Sequence, residues 1–168
     1  IAAYNEAYDV IEPTVRSLQA CTYNHKKLII TLAYEERGGQ EIEKTAQRLQ
    51  REFKDVFMAF EIIKHPRDLP HEVIGKGANI TYAARQMQNF IDKKKIAYKD
   101  VIVTTLDSDN RPHPSYFDYV TYEYIVNEDR KQLAYQPIAL FLNNIWDVPA
   151  PMRVMATGNT FWNIISSM

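Results

Sequence analysis

The sequence predicts an α/β chain built on a mostly parallel, doubly wound sheet with helices on both faces. Short β-branched and aromatic runs alternate with longer stretches whose apolar residues recur at helical spacing, the pattern of successive strand-helix units. The run Val101-Ile102-Val103-Thr104-Thr105-Leu106 is apolar or β-branched on consecutive residues, as expected of a central parallel strand covered on both sides. Acids follow directly on two strand-like runs, at Glu35-Glu36 and at Asp107-Ser108-Asp109, the edge at which open parallel sheets bind ligands.

Taken in order, Ile1-Ala2-Ala3-Tyr4-Asn5-Glu6 reads as the end of a first strand running into a turn, so a few strand residues are expected to precede it in the natural protein. A helix follows through Val10, Ile11, Val15 and Leu18, with Pro13 expected in its early turn, where the missing N–H costs little. Lys27–Tyr34 is a second buried-type strand. After Gly38-Gly39, the segment Glu41–Phe53 carries Ile42, Ala46, Leu49 and Phe53 on one face of an amphipathic helix. Val56–Ile63 is the third strand, and a loop with Pro66, Pro70 and His71 leads to Gly75-Lys76-Gly77-Ala78-Asn79. That stretch starts a helix with Ile80, Ala83, Ala84, Met87 and Ile91 on its apolar face. Beyond the central strand, Pro114–Asn127 is expected to be helical with most of its aromatic rings in the core. Leu133–Asn143 is expected to be a strand, and Met152–Met168 an apolar tail packed on the core.

The 168 residues are 46% hydrophobic, enough for one domain with a sizeable core. A formal net charge of -1 gives no basic field, so no nucleic acid partner is expected. Cys21 is the only cysteine, which excludes an internal disulfide and a cysteine-based zinc cluster and suits a buried structural thiol. No apolar run approaches the roughly 18 to 20 residues that span a bilayer.

Carboxylates at the end of a buried strand repel one another unless a cation sits between them. A hard divalent ion held by one or two carboxylates and by substrate phosphates is the usual resolution. Asp107 and Asp109 are therefore candidate ligands of Mg²⁺ or Mn²⁺, expected to stand unpaired by Lys or Arg. An EF-hand loop starting at Asp107 fails because Arg111, Pro112 and Asp118 stand where Asp or Asn, Gly and Glu are needed. An acidic turn that caps the next helix is the plain alternative. Lys76, between two glycines at a helix start, is placed to meet a phosphate or ribose, although the spacing is not that of a Walker loop.

In their order, Ala3-Tyr4-Asn5-Glu6, Glu35-Glu36, Gly75-Lys76-Gly77-Ala78-Asn79 and Thr104-Thr105-Leu106-Asp107-Ser108-Asp109 resemble the motifs of family 2 glycosyltransferases. These enzymes have the glycosyltransferase A (GT-A) fold, a Rossmann-like, mostly parallel sheet, and the resemblance covers about residues 1–125. It implies that residues 1–168 are a donor-binding domain, with the first strand cut short and the acceptor and catalytic-base region absent. Tyr4, Asn5 and Glu6 would line the nucleotide pocket, and Glu35 or Glu36 would accept a hydrogen bond from the base. Lys76 would lie near the ribose or diphosphate, Asp107 against the nucleotide sugar, and Asp109 on Mg²⁺ or Mn²⁺. The implied activity is metal-dependent transfer of a sugar from a nucleotide diphosphate sugar to a saccharide or lipid acceptor. The parent protein would work at the cytoplasmic face of a membrane. Ala3 replaces the family's Pro, Glu-Glu replaces its Asp-Asp, and neither a catalytic base nor the later Gln-x-x-Arg-Trp motif has a match. No catalytic residue is therefore assigned, and the isolated chain is expected to be inactive. A sugar-phosphate nucleotidyltransferase would need an Arg- and Lys-rich glycine loop after the first strand, where Tyr4-Asn5-Glu6-Ala7-Tyr8 stands instead. A non-catalytic nucleotide-binding or interaction module is the remaining alternative.

Overall fold

A computed structural model of the chain describes residues 1–142 and 145–166. The described residues form an α/β structure with a three-stranded parallel sheet and five α-helices. Strand β1 is only Ala2–Ala3, β2 is Ile29–Glu35 and β3 is Ala59–His65. β2 pairs with β3 from Ile29 opposite Ala59 to Glu35 opposite His65, and β1 pairs with β2 with Ala2 opposite Ala33. On the other side of β1 the Ala2 amide donates to the Leu106 carbonyl at 3.0 Å, and Ala2 bridges Asp107 in parallel. The spatial order is therefore β3, β2, β1 and then the Leu106–Asp107 segment, so the direction of winding reverses beside β1. Ligands of doubly wound sheets bind at such a switch point, outside the carboxyl ends of the strands.

Two layers cover the sheet. Helix α1 (Tyr8–Gln19) buries Ile11, Thr14, Val15 and Leu18, and α2 (Gln40–Phe53) buries Ile42, Thr45, Ala46, Leu49 and Phe53. These positions recur every three or four residues and meet Ile30, Leu32 and Tyr34, the alternate residues of β2 that share one face. Phe53 stacks on Phe57 and on Phe60, which are tilted against each other, with all three centroids 6.4–6.5 Å apart. Each large side chain buried here contributes roughly 1.5–3 kcal/mol. Helix α3 (Lys76–Lys93) packs on all three strands, outside the α1–α2 cluster, and closes the opposite face.

Several sequence expectations are corrected. Val101–Thr105 is not the buried central strand: Val103 is 78% exposed, and the bridge at Asp107 is the segment's only ladder contact among the described residues. The bridge of Ala2 to Asp107 brings β1 only to the end of this segment, and among the described residues none pairs with Val101–Thr105 in a ladder. Helix α1 starts at Tyr8, so Pro13 lies in its second turn and removes the amide that would bond the Asp9 carbonyl. Val10 and Ala84 turn outward.

The chain divides into two compact units, Ile1–Tyr122 and Glu123–Met168, and α4 (Tyr116–Val126) runs across the division. In the first unit Phe117 packs against the core, while Tyr119 and Tyr122 are exposed rather than buried as expected. In the second, residues 133–142 form no strand among the described residues, because no neighbouring strand is there to complete a ladder. The segment instead bonds to α5 (Ala150–Ser166): the Phe141 amide donates to Thr160 Oγ1 at 2.9 Å, and Asn163 Nδ2 donates to the Ala139 carbonyl at 3.0 Å. None of the residues described in α5 is buried, and Val154, Phe161 and Trp162 are exposed, so the tail does not form the core packing expected of it. Asn143 and Met168, the ends of those two expectations, lie outside the described residues. No described helix is long and apolar enough to cross a membrane.

Candidate functional site

A pocket of about 580 Å³ lies at the carboxyl edge of the sheet, within the first unit. It is lined by residues from four chain segments that are far apart in sequence: Tyr4 and Glu6 after β1, Glu35 at the end of β2 with Arg37 just beyond it, Lys76 and Asn79 at the start of α3, and Asp107, Ser108 and Asp109 at the bridge to β1. Each segment arrives there because parallel strands all end on one side of the sheet.

The Asp-Ser-Asp turn is held from behind by α1. The buried Thr14 hydroxyl donates to the Ser108 carbonyl at 2.8 Å, and the Asn110 amide closes the turn onto the Asp107 carbonyl at 3.2 Å. Gly75 has a φ of +153°, a conformation that favours glycine, and releases the chain into α3 with Lys76 as its first residue. Lys76 Nζ forms an ion pair with Asp107 Oδ1, and both side chains remain about half exposed. This corrects the expectation that Asp107 lacks a basic partner: the lysine that the sequence places at a separate helix start reaches the strand-end acid directly. One turn on, Asn79 is almost fully buried and its Nδ2 donates to two strand carbonyls, Ala3 at the end of β1 at 3.2 Å and Ala33 within β2 at 3.1 Å. It fastens α3 to β1 and β2 together.

Of the paired acids only Glu35 lines the pocket. It is 5% exposed and ion-paired with Arg37, whose guanidinium lies 5.9 Å from the centre of the Tyr4 ring. Glu36 turns away into the short helical turn Glu36–Gly38, where its Oε2 accepts the Arg67 amide at 2.9 Å and its Oε1 lies 3.9 Å from Lys64. Tyr4 is 45% exposed, and its amide donates to Glu6 Oε2 at 2.7 Å, which fixes the turn after β1. Asn5 is exposed and does not line the pocket. The expected set thus divides: Tyr4, Glu6, Glu35, Lys76, Asp107 and Asp109 converge, while Asn5 and Glu36 do not.

Among the described residues no three acids, histidines or cysteines are grouped tightly enough to cage a metal. The donor set at the turn, two carboxylates beside open pocket, suits instead a hard ion that keeps waters and takes further oxygens from a bound phosphate. Asp107 and Asp109 are the residues that would hold it.

Thr14, Arg37, Asn79 and Ser108 were not singled out as site residues from the sequence. Thr14 sits on the apolar stripe of α1 and reads as core, and Arg37 reads as a loop charge beside Gly38. Asn79 carried a usable signal, because an amide within the first turn of a helix facing strand ends has carbonyls within reach. No protein-family model, curated protein or solved structure matches this chain.

Proposed function

We propose that this chain is the donor-binding part of a metal-dependent glycosyltransferase of the GT-A type, similar to family 2, and that the pocket holds a nucleotide diphosphate sugar. The observation that carries this reading is the convergence of four sequence-distant segments on one pocket at the switch point of a parallel sheet. They bring acids, a lysine and a half-exposed tyrosine, groups suited to a metal, a diphosphate and a base respectively.

In the reaction, the bond between the anomeric carbon and the diphosphate oxygen breaks, a bond from that carbon to an acceptor oxygen forms, and the acceptor's proton passes to a base. Negative charge develops on the leaving diphosphate. Lys76 at the helix start would stabilise it on turning from Asp107, and charge aimed at a leaving group is one of the strongest sources of rate enhancement open to such a site. Mg²⁺ or Mn²⁺, when bound, neutralises the same diphosphate. Tyr4 offers a ring face to the base. Thr14 and Asn79 touch no ligand in this scheme and act by holding the Asp-Ser-Asp turn and the helix start in place. The base that takes the acceptor proton is assigned to no residue of this chain, and the acceptor, a saccharide or lipid at the cytoplasmic face of a membrane, follows from the family resemblance alone.

Calorimetry tests the reading. UDP and GDP are titrated into the chain in Mn²⁺ and again in EDTA. Binding that requires Mn²⁺ and is lost in Asp109→Asn is expected, whereas equal binding in EDTA would contradict the metal's role.

A further inference from the structure

The family resemblance assigns Glu35 or Glu36 to the base, yet the Glu35 carboxylate is already engaged. It is buried at the end of β2, and its Oε2 holds Arg37 Nη2. A buried carboxylate needs a compensating charge, and here the compensating group is itself a wall of the pocket. The Arg37 side chain keeps 25% of its exposure. On a second side the Tyr4 ring centre lies 5.9 Å from the guanidinium carbon, the outer reach of a cation–π contact. Its loop is fixed by Gly38, which lies so close to the Tyr4 carbonyl that a Cβ would have no room. At this end of the pocket the ligand therefore meets a braced planar cation with several N–H donors, not a bare carboxylate.

Position along the pocket favours the base over the diphosphate as its target. Lys76 and the Asp107–Asp109 turn lie together, joined by the Lys76–Asp107 ion pair. In the strand order, β2 lies two spacings from the Asp107 segment, about 10 Å at about 4.8 Å per spacing. A diphosphate held at Lys76 and Asp109 leaves the nucleoside to extend towards β2.

We propose that Arg37 reads the base, donating to two neighbouring acceptor atoms on its edge, while Glu35 and Tyr4 hold the guanidinium in place. The proposal rests on the nucleotide reading above and narrows it to a chemical class. Guanine offers O6 and N7 side by side and cytosine offers O2 and N3, edges that a guanidinium fork matches bidentately. On the Watson–Crick edges of uracil and adenine, acceptors and donors alternate, and the fork finds one acceptor at a time. Lysine, a point charge with no fork, does not replace arginine in this role.

The test is calorimetry of the full chain in Mn²⁺ with GDP, CDP, UDP, ADP and inorganic pyrophosphate. The wild type is expected to prefer GDP or CDP by about tenfold or more, the scale of one bidentate contact. Arg37→Ala should weaken the preferred nucleotide by about 10- to 100-fold and level the ranking, with pyrophosphate unchanged. Arg37→Lys should not restore the ranking, and Glu35→Gln should level it in part, since it loosens the brace and leaves the fork. Thermal melts accompany each variant. If Arg37→Ala does not fold, Arg37→Lys carries the test, because it keeps the charge opposite Glu35. A ranking that survives without the guanidinium but disappears in Glu35→Gln would overturn the proposal in favour of direct reading by the carboxylate. An equal loss for pyrophosphate would make Arg37 a phosphate ligand, and a wild type that prefers UDP or ADP, or binds all four equally, also overturns it. If neither nucleotide nor pyrophosphate binds the wild type, the nucleotide reading fails as well.

Discussion

Gly38→Ala should damage both stability and ligand binding, for a reason that can be measured on the structure. A methyl group at residue 38 would fall inside the contact distance of the Tyr4 carbonyl oxygen, 2.8 Å from the Tyr4 carbonyl carbon and 2.9 Å from Ile42 Cγ2. Ordinary contacts begin at 3.4 Å, so about half an ångström of movement is needed at Ile42 and more at the Tyr4 peptide. Ile42 is fully buried in the α1–α2 core and cannot swing aside without disturbing it. The Tyr4 peptide follows directly on β1, whose two residues pair with β2 while Ala2 also bridges Asp107 on the other side. Overpacking of this kind costs about 1–3 kcal/mol. The same displacement moves Tyr4 and Arg37 apart, so affinity for a Mn²⁺ nucleotide should fall with stability. Urea unfolding followed by far-UV circular dichroism measures the first effect, and calorimetry under folding conditions the second. A variant within about 0.5 kcal/mol of wild type, the range of an ordinary surface substitution, would refute the close approach and with it the bracing of Arg37.

Lys76→Ala should weaken nucleotide binding by about 1–3 kcal/mol, the scale of a charge-assisted hydrogen bond. Its ion pair with Asp107 is half exposed and worth about 0–1 kcal/mol, so the melting temperature should hardly move; a variant that melts early with affinity intact would make Lys76 structural. Thr14→Val keeps the shape of the buried side chain and removes the hydrogen bond to the Ser108 carbonyl, a loss of about 1–3 kcal/mol in stability by urea unfolding, together with weaker Mn²⁺-dependent binding. Cys21 is buried, and desolvation pushes its thiol pKa above the usual value, with Asp118 adding to the effect; the native chain should react with a disulfide reagent at least about tenfold more slowly than the urea-unfolded chain. The purified chain should bind a donor but release no nucleoside diphosphate in response to an acceptor, and acceptor-dependent release that disappears in Asp147→Asn would place the base within it.

Local patterns are legible where one face of one element decides the outcome. The stripes of α1 and α2 follow from a period of 3.6 and β2 and β3 from short continuous apolar runs, and their boundaries fall within a few residues of expectation. The pocket was legible in part because acids after parallel strands must converge on one edge. What depends on a partner was not. Val101–Thr105 has a strand's composition, but a strand requires a neighbour in register, and β1 is too short to supply one. The same holds for residues 133–142, which satisfy part of their backbone on side chains of α5. The Lys76–Asp107 and Glu35–Arg37 pairs depend on where loops meet, which periodicity does not encode. Thr14 and Asn79 are polar residues used inside the core, where a pattern of apolar positions has no means of flagging them.

We propose that metal and nucleotide meet in the pocket between Tyr4, Lys76 and Asp109. Amide NMR of the isotopically labelled chain with substoichiometric Mn²⁺ tests it most directly, because the paramagnetic ion broadens only nearby signals. With UDP or GDP present, broadening should centre on Ser108 and Asp109, extend to Lys76 and Tyr4, and fade when Asp109 is replaced by Asn. Broadening that centres outside the pocket, or that is unchanged in Asp109→Asn, would contradict a metal site there.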